Sequence, residues 1–544
     1  MEQAKLDELI ETALEHHTAG RLTEAEAMYR QILVHDPNDA DALHLLGALV
    51  AQRGQGDAAL ALIDRAIAVD STVAEFHNNK GLILVNLGRA DEAILAHHEA
   101  VRLRPDFAEA HNNLGNALLK AGFVTEATDA FRQTIQLRPD YVNAHSNLGV
   151  ALHRQNLYDQ AIAEYRIALA TQPNHAEARN NLGVALREIG RMDEAIDAYR
   201  AAIAADNQFV DPHTNLGAAL HDIGKPEEAI PSFRRALELN PQYAPAHYNL
   251  ALSLLQSGDY EQGWPEYEFR AYALATRRKF TTPQWNGEPL AGKTILLHGE
   301  GGFGDPIQHV RFVPIIKSCG ARVILQVQND LVRLMTRLQG ADTVIPKEQN
   351  PPDCDFHSPF LSVAGKLGIT PQNIPAQPYL TADPAISQKW ASKLTGEKHR
   401  RIGLVWAGAP VHHNDKNRSI SLEQFAPFAA VTGVRFFSLQ KNLPAGPAAK
   451  FEIADWSAGF TDFAETAGLI DNLDLIISVD TAVAHLAGAM GKPVWLLLPF
   501  VADWRWLRER TDTPWYPTTR LFRQKTAGDW KEVIDRVTES LKAN

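Results

Sequence analysis

Along the first half of the chain, apolar residues recur at helical spacing. In the second half they gather into short unbroken runs. In residues 74–107, AEFHNNKGLILVNLGRADEAILAHHEAVRLRPDF, one helix is marked by Phe76, Leu82 and Ile83. Leu87-Gly88-Arg89 reads as a short turn, and Ala93, Ile94 and Ala100 mark a second helix from Asp91. Pro105 closes that helix, because proline cannot continue one. The pattern repeats. Glycine returns every 34 residues at Gly47, Gly81, Gly115, Gly149, Gly183 and Gly217. Alanine follows each by twelve, at Ala59, Ala93, Ala127, Ala161, Ala195 and Ala229. Pro37, Pro139, Pro173 and Pro241 keep the phase of Pro105. Such a strict period predicts one helical unit stacked on copies of itself. The small residues mark where two helices press together.

The period stops near residue 270. Residues 277–292, RRKFTTPQWNGEPLAG, read as a basic linker with proline and glycine. Strands are then predicted at 295–297 (ILL), 322–328 (RVILQVQ) and 342–346 (DTVIP), with helices at 306–320 and 330–340. After a proline-rich crossing at 373–384 the alternation restarts. Strands follow at 401–408, 434–440, 473–480 and 493–500, helices at 421–431 and 481–490, and a closing helix after Lys525. The predicted fold class is an all-α solenoid followed by an α/β region of two Rossmann-like units with a cleft between them. The predicted boundaries are 1–276 for the repeats, 277–292 for the linker, and 293–385 and 386–544 for the two units.

A chain of 544 residues is too long for one core, which agrees with this partition. Net charge is −12, unevenly spread. Residues 1–276 hold 22 Lys+Arg and 39 Asp+Glu (net −17), and the remainder 31 and 26 (net +5). An acidic repeat half argues against nucleic-acid binding there. Two cysteines, Cys319 and Cys354, give neither a disulfide framework nor a metal spacing and fit a reducing compartment. The charged N-terminus lacks a secretory apolar stretch, and no run of membrane-spanning length is present. The expected location is cytoplasmic, with no membrane span.

The spacing and the Leu-Gly, Ala and Pro positions resemble the tetratricopeptide repeat, over about residues 6–276 and roughly eight units. Ala13 and Ala251 replace the glycine and Gly263 the alanine in edge units, as expected where a solenoid ends. Two residues before each glycine phase stands an asparagine: Asn79, Asn113, Asn147, Asn181, Asn215 and Asn249. Asparagine is a mediocre helix former, so an in-phase row has a cause. A ladder of carboxamides on the concave face suits the backbone of an extended polypeptide. The alternative is packing between neighbouring repeats. Asn78, Asn112 and Asn180 widen the polar strip. The periodic His77, His111, His145, His213 and His247 read as surface or packing residues, not metal ligands.

In the second half, GEGGFGD (299–305) is a glycine-rich turn after a strand, without a clean dinucleotide fingerprint. The block SVDTAVAHLAGAMGKPVW says more. Asp480 ends a strand, Thr481 is placed to cap the next helix, and a helix N-terminus is a ready anion site. His485 lies one turn on. The pattern D-T-x-x-x-H-L-A-x-A-x-G-K-P-V is similar to the nucleotide-sugar site of GT-B glycosyltransferases, particularly the ADP-heptose–lipopolysaccharide heptosyltransferase family. The resemblance covers about residues 290–544. It implies that Asp480, Thr481 and His485 contact the nucleotide diphosphate, that Lys416 contacts phosphate, and that Asp305 acts as base. Ala482 stands where that family has glycine, and Pro306 follows Asp305 directly. Proline there biases Asp305 away from helical geometry, and Asp305 as a plain helix cap is the structural alternative.

The resemblance implies displacement at an anomeric carbon, inverting and metal-independent, with a nucleotide sugar as substrate and no cofactor. The Asp480–Thr481 turn is expected to hold a pyrophosphate across a gap from Asp305. His309, one turn after Asp305, is a reserve base or a packing residue. Asp353-Cys354-Asp355 spells a metal-binding D-x-D but sits in a proline-rich stretch and reads as chance. The run WRWLRERTDTPWYP (504–517) either stacks on a base or sugar or covers a sheet edge. With repeats attached, the expected acceptor is a protein or peptide held by the asparagine row, flagellin or another surface protein being candidates. Two alternatives stand beside it: a glycan or lipid-linked acceptor with the repeats as a dock, and a peptide-binding scaffold with a decayed transferase domain.

Overall fold

A computed structural model describes residues 3–274, 278, 280–410, 414–441 and 451–543. The start of the predicted linker (277 and 279) and the residues just before Lys416 (411–413) lie outside the described residues. The chain divides into two compact units, residues 1–216 and 217–544.

Among the described residues, sixteen helices from Gln3–Thr18 to Tyr260–Tyr267 form eight consecutive pairs. The unit read at 74–107 is the pair Ala74–Asn86 and Ala90–Leu103. Phe76 and Ile83 are buried as expected, but Leu82 is 40% exposed. It lies off the buried stripe because its neighbour Gly81 faces the partner helix. The glycine row is explained by what lies against it. A Cβ on Gly115, Gly149, Gly183 or Gly217 would stand 2.5–2.6 Å from a ring carbon of Phe131, Tyr165, Tyr199 or Phe233. Ile63 and His97 occupy the same place beside Gly47 and Gly81. Each ring comes from the second helix of the same pair and lies flat in the space a side chain would need. The following alanines are fully buried.

A second row closes the turns inside each pair. Gly20, Gly54, Gly88, Gly122, Gly190, Gly224 and Gly258 have φ between 73° and 91°. Asn156 takes the remaining place at φ 60°, and asparagine is the side chain that tolerates this region best. The periodic histidines fasten the turns between pairs. The ring nitrogens of His111, His145 and His247 lie 2.9–3.0 Å from the carbonyls of Pro105, Pro139 and Pro241, six residues back. Arg179 donates to Pro173 in the same way.

Residues 217–544 begin with the last repeats and continue into two parallel sheets. The first holds β1 (Thr294–His298), β2 (Arg322–Val327), β3 (Thr343–Pro346) and β4 (Phe356–Pro359) in the order β3-β2-β1-β4. The second holds β5 (Arg400–Val405), β6 (Val434–Ser438), β7 (Ile453–Asp455), β8 (Leu475–Val479), β9 (Val494–Leu498) and β10 (Thr519–Arg523) in the order β10-β9-β8-β5-β6-β7. Read from its other edge, the second sheet has the doubly wound dinucleotide-fold order. Strands β4, β7 and β10 were not expected from the pattern. Two expected helices change form. The span 306–320 breaks into Gly304–His309, a 3-10 turn at Val310–Phe312 and Val313–Ser318. The span Leu422–Ala430 is 3-10 throughout, with Pro427 inside it. The described part of the predicted linker runs beside β4: Trp285 is buried, and its N–H donates to the His357 carbonyl.

The compact boundary at 216 precedes the end of the repeats because the last hairpin shares a core with the α/β region. Trp264 Nε1 donates to the Ile369 carbonyl at 2.7 Å, and the ring covers Gly365. Tyr260, Trp264 and Tyr267 belong to the same buried cluster as the first sheet.

Candidate functional site

In each sheet the chain reverses direction of growth at one place, between β1 and β4 and between β5 and β8. Ligand sites of such sheets lie beyond the carboxyl ends of the strands at that reversal. The loop leaving β1 carries Asp305, and the loop leaving β8 carries Asp480 and Thr481. A third loop, leaving β9, carries Asp503, Arg505 and Trp506.

Asp305 lies in the first turn of Gly304–His309, so the expected bias away from helical geometry does not hold. Proline is accepted in a first turn, where its missing N–H has no helical partner. Nor is Asp305 a cap: its Oδ1 accepts from Arg505 Nη2 at 2.7 Å. Burial pushes its carboxyl up, and the Arg505 guanidinium pulls against that. Arg505 Nε donates to Gln308 Oε1 at 2.5 Å, and Nη1 donates to both oxygens of Asp503 at 2.9 and 3.0 Å. Burial acts to raise Asp503, but Arg505 overcomes it and holds the carboxyl low.

Asp480 Oδ2 accepts from Trp506 Nε1 at 2.9 Å. Burial and the nearby Asp503 push Asp480 up to about 6. Thr481 stands at the N-terminus of Ala482–Ala489 in extended geometry, but its hydroxyl makes no capping bond. It lies 3.1 Å from Ser478 Oγ instead, which corrects the expected cap. His485 is buried, with Nδ1 3.0 Å from the Tyr516 hydroxyl and its ring stacked on Trp506 at 5.3 Å. Its Nε2 is 3.8 Å from Asp480 Oδ1. Burial pushes His485 down to about 3, which keeps the imidazole neutral.

The structure therefore brings Asp305, Asp480, Thr481 and His485 to one junction. It does not leave the expected open gap. Arg505 and Trp506 are adjacent in sequence and each holds one of the two carboxylates. Gly304 approaches so closely that a Cβ there would stand 3.0 Å from His485 Cδ2. The glycine missing at Ala482 is thus met by a glycine on the facing helix, 3.9 Å from Cβ position to Ala482 Cα. Lys416 is exposed on the short helix Asp415–Arg418. Arg418, two residues on, is the cation that reaches the turn, donating from Nη1 to the Asp480 carbonyl at 3.0 Å.

His309 is buried, with Nδ1 3.0 Å from the Asp305 carbonyl and its ring tilted against Trp515. Burial holds it well below the usual imidazole range, so it is a packing residue. The aromatic run settles likewise as packing: Trp504, Trp506, Trp515 and Tyr516 are all buried. Asp355 accepts from the Thr294 N–H at the start of β1, at the end of the strands opposite the site. Among the described residues no cluster of three metal-ligating side chains occurs, and no helix is long and apolar enough to cross a membrane.

The asparagines pair between repeats. Asn113 Nδ2 donates to Asn78 Oδ1 at 3.0 Å, Asn147 to Asn112 at 3.1 Å and Asn215 to Asn180 at 2.9 Å. Asn79 Nδ2 lies 2.6 Å from His44 Nε2. Asn181 Oδ1 is 3.4 Å from Asn180 Nδ2, and Asn249 is half-buried. Sequence reasoning missed Arg505, Asp503, Gln308 and Arg418. Arg505 sat inside a run already conspicuous for tryptophan and arginine, which was the one available signal.

Comparison with known proteins fits this picture. Tetratricopeptide repeat models match residues 16–81, 81–122, 112–169, 147–208, 210–243 and 232–264. The model of glycosyltransferase family 9 (heptosyltransferase) matches residues 450–497, which include Asp480, Thr481 and His485. Protein FlbA of Caulobacter vibrioides is 26% identical over 314 residues, 52% of each chain. The chain thus spans about half the length of this curated relative. Among solved structures, YrrB, described as a TPR protein with an unusual peptide-binding site, is 22% identical over 34% of this chain and 95% of its own, with a TM-score of 0.29. The Cut9–Hcn1 hetero-tetramer of APC/C is 17% identical over 51% and 55%, with a TM-score of 0.40.

Proposed function

Because this chain is a tetratricopeptide-repeat protein that carries a segment of glycosyltransferase family 9 (heptosyltransferase), we propose that it transfers a sugar from a nucleotide-sugar donor to a protein acceptor held by the repeats. The observation that carries this reading is the convergence of Asp305 and the Asp480–Thr481–His485 turn on one junction at the carboxyl ends of two parallel sheets. On this GT-B reading the nucleoside diphosphate leaves from the anomeric carbon. Its developing charge is met by the N-terminal turn of Ala482–Ala489, the Thr481 hydroxyl and Arg418, which already reaches the turn, with the exposed Lys416 of the same short helix as a further cation. The acceptor hydroxyl attacks from the opposite side, so the anomeric centre inverts, and Asp305 takes its proton through Oδ2. Burial raises Asp305, which brings a carboxylate closer to the basicity such a step needs.

A diphosphate reaching the turn has to displace Trp506 from the Asp480 carboxylate. The acceptor is a protein, flagellin or another surface protein, lying along the free faces of Asn79, Asn113, Asn147, Asn181, Asn215 and Asn249, in a cytoplasmic setting. The amide donors of Asn113, Asn147 and Asn215 already serve the neighbouring repeats, so their contribution to an acceptor is mainly through carbonyl oxygens.

The filled junction favours one second reading, a peptide-binding scaffold whose transferase domain has lost its donor site. Calorimetry with UDP, ADP, GDP and CMP separates the two. The transferase reading predicts binding of one nucleotide, lost in Thr481→Ala with Asp480→Ala and retained in Asp305→Asn. Silence across the panel supports the scaffold.

A further inference from the structure

One segment touches both halves of the junction and the repeats at once. Arg505 is buried and bonds Asp305 and Gln308 from the first sheet's side and Asp503 from its own loop. The preceding Trp504 stands edge-on among Tyr260, Trp264 and Tyr267 of the last repeat hairpin, with centroids 5.4–5.9 Å away. Gln256, at the end of the first helix of that hairpin, donates to the Ala502 carbonyl at 2.8 Å, and Arg508 pairs with Glu227. The backbone of this segment is held in a conformation it would not adopt alone. Leu507 has φ 48° and ψ −165°, a region at ease only for glycine. Arg523 fixes it by donating from Nη2 to the carbonyls of Leu507 and Trp506 at 2.7 and 3.1 Å. A strained loop clamped from three sides fixes the guanidinium to which Asp305 is bound.

We propose that Arg505 is a positioning residue for Asp305, fixing Oδ1 so that Oδ2 is presented to the acceptor hydroxyl, and that the last repeat hairpin sets Arg505 through Trp504. This rests on Asp305 being the base. The charged and titratable groups facing Asp305 are Arg505 and Asp503 from the β9 loop, Arg270 and Glu300 from the repeat end and the β1 loop, and Tyr248 and Tyr267 from the repeats. Arg270 Nη2 is engaged with Glu300 at 2.6 Å, which leaves Arg505 as the cation bonded directly to Asp305.

The test is the titration of the Asp305 carboxyl, followed in the full chain by 13C NMR of labelled aspartate and assigned with Asp305→Asn. It needs no turnover. Arg505→Met is expected to move the midpoint up by at least one pH unit, and Arg505→Lys to return most of that shift. In transfer assays the acid limb of kcat/KM should move by the same amount, with donor KM unchanged. Trp264→Phe, which alters the packing on Trp504, should shift the midpoint in the same direction by a smaller amount. An Asp305 midpoint unmoved in Arg505→Met overturns the positioning role. If Asp305→Asn retains full transfer, the base assignment fails instead, whatever the titration shows.

Discussion

At the residue scale, Asp480 works against the stability of the fold that holds it. Asp480 ordinarily titrates near 3.8 but is pushed up to about 6 by burial and by Asp503. Between these values the native state binds more protons than the unfolded state, so stability falls as pH rises through that window, and the cost is fully present above it. Asp480→Asn keeps an acceptor for Trp506 Nε1 and removes the charge. It is expected to stabilise the full chain at pH 7.5 by roughly 1–3 kcal/mol, with little gain at pH 4. Scanning calorimetry at the two pH values measures this. Equal effects at both would show that Asp480 is not a buried, raised carboxyl. Arg505 shows why sequence reasoning stopped short here. It lies 200 residues from Asp305 and 197 from Gln308, and no local period or motif ties such positions together. Asp480, Thr481 and His485 were legible because a strand end, a turn and one helical turn bring them together within six residues. The family motif points to Lys416, and only three-dimensional placement brings out Arg418 beside it on the same one-turn helix.

At the element scale, two glycine rows do different work, and substitutions separate them. Gly149 has ordinary backbone geometry, but a Cβ would meet the Tyr165 ring at 2.5 Å. Gly149→Ala should destabilise by about 1–3 kcal/mol through overpacking. Asn156 occupies a turn where the other pairs use glycine, with φ 60°. Asn156→Gly should be neutral or stabilising by up to about 1 kcal/mol, since it relieves a left-handed conformation. In thermal unfolding Gly149→Ala should melt lower than the parent and Asn156→Gly should not; a Gly149→Ala chain as stable as the parent would remove the ring-on-glycine account. The first row was plain in the sequence because the period repeats it. The bulky side chains sixteen residues on were not, because Ile63, His97, Phe131, Tyr165, Tyr199 and Phe233 share bulk rather than identity. The strands that escaped notice are short: FHSP, IAD and TRLFR carry at most two adjacent apolar residues. The helical reading of 421–431 failed at Pro427, whose ring and missing N–H favour a tighter turn there.

At the scale of the whole molecule, the boundary between repeats and α/β region is a shared core, not a hinge of loop. Trp264, Trp504 and Tyr260 pack together, and Arg270 from the end of the repeats pairs with Glu300 in the glycine-rich turn beside Asp305. Such burial joins the last repeats to the candidate site more firmly than a linker does. The repeat architecture and the α/β class were legible from periodicity alone. The fusion was not, because it depends on aromatic residues meeting across the chain, as Tyr260 and Trp515 do. The central claim is that Asp305 and the Asp480–Thr481 turn together move a sugar onto a protein. Intact-mass comparison of proteins from cells carrying either the native chain or Asp305→Asn tests it most directly. The account predicts a protein heavier by a sugar residue only where the native chain is present; the same mass with both chains would contradict it.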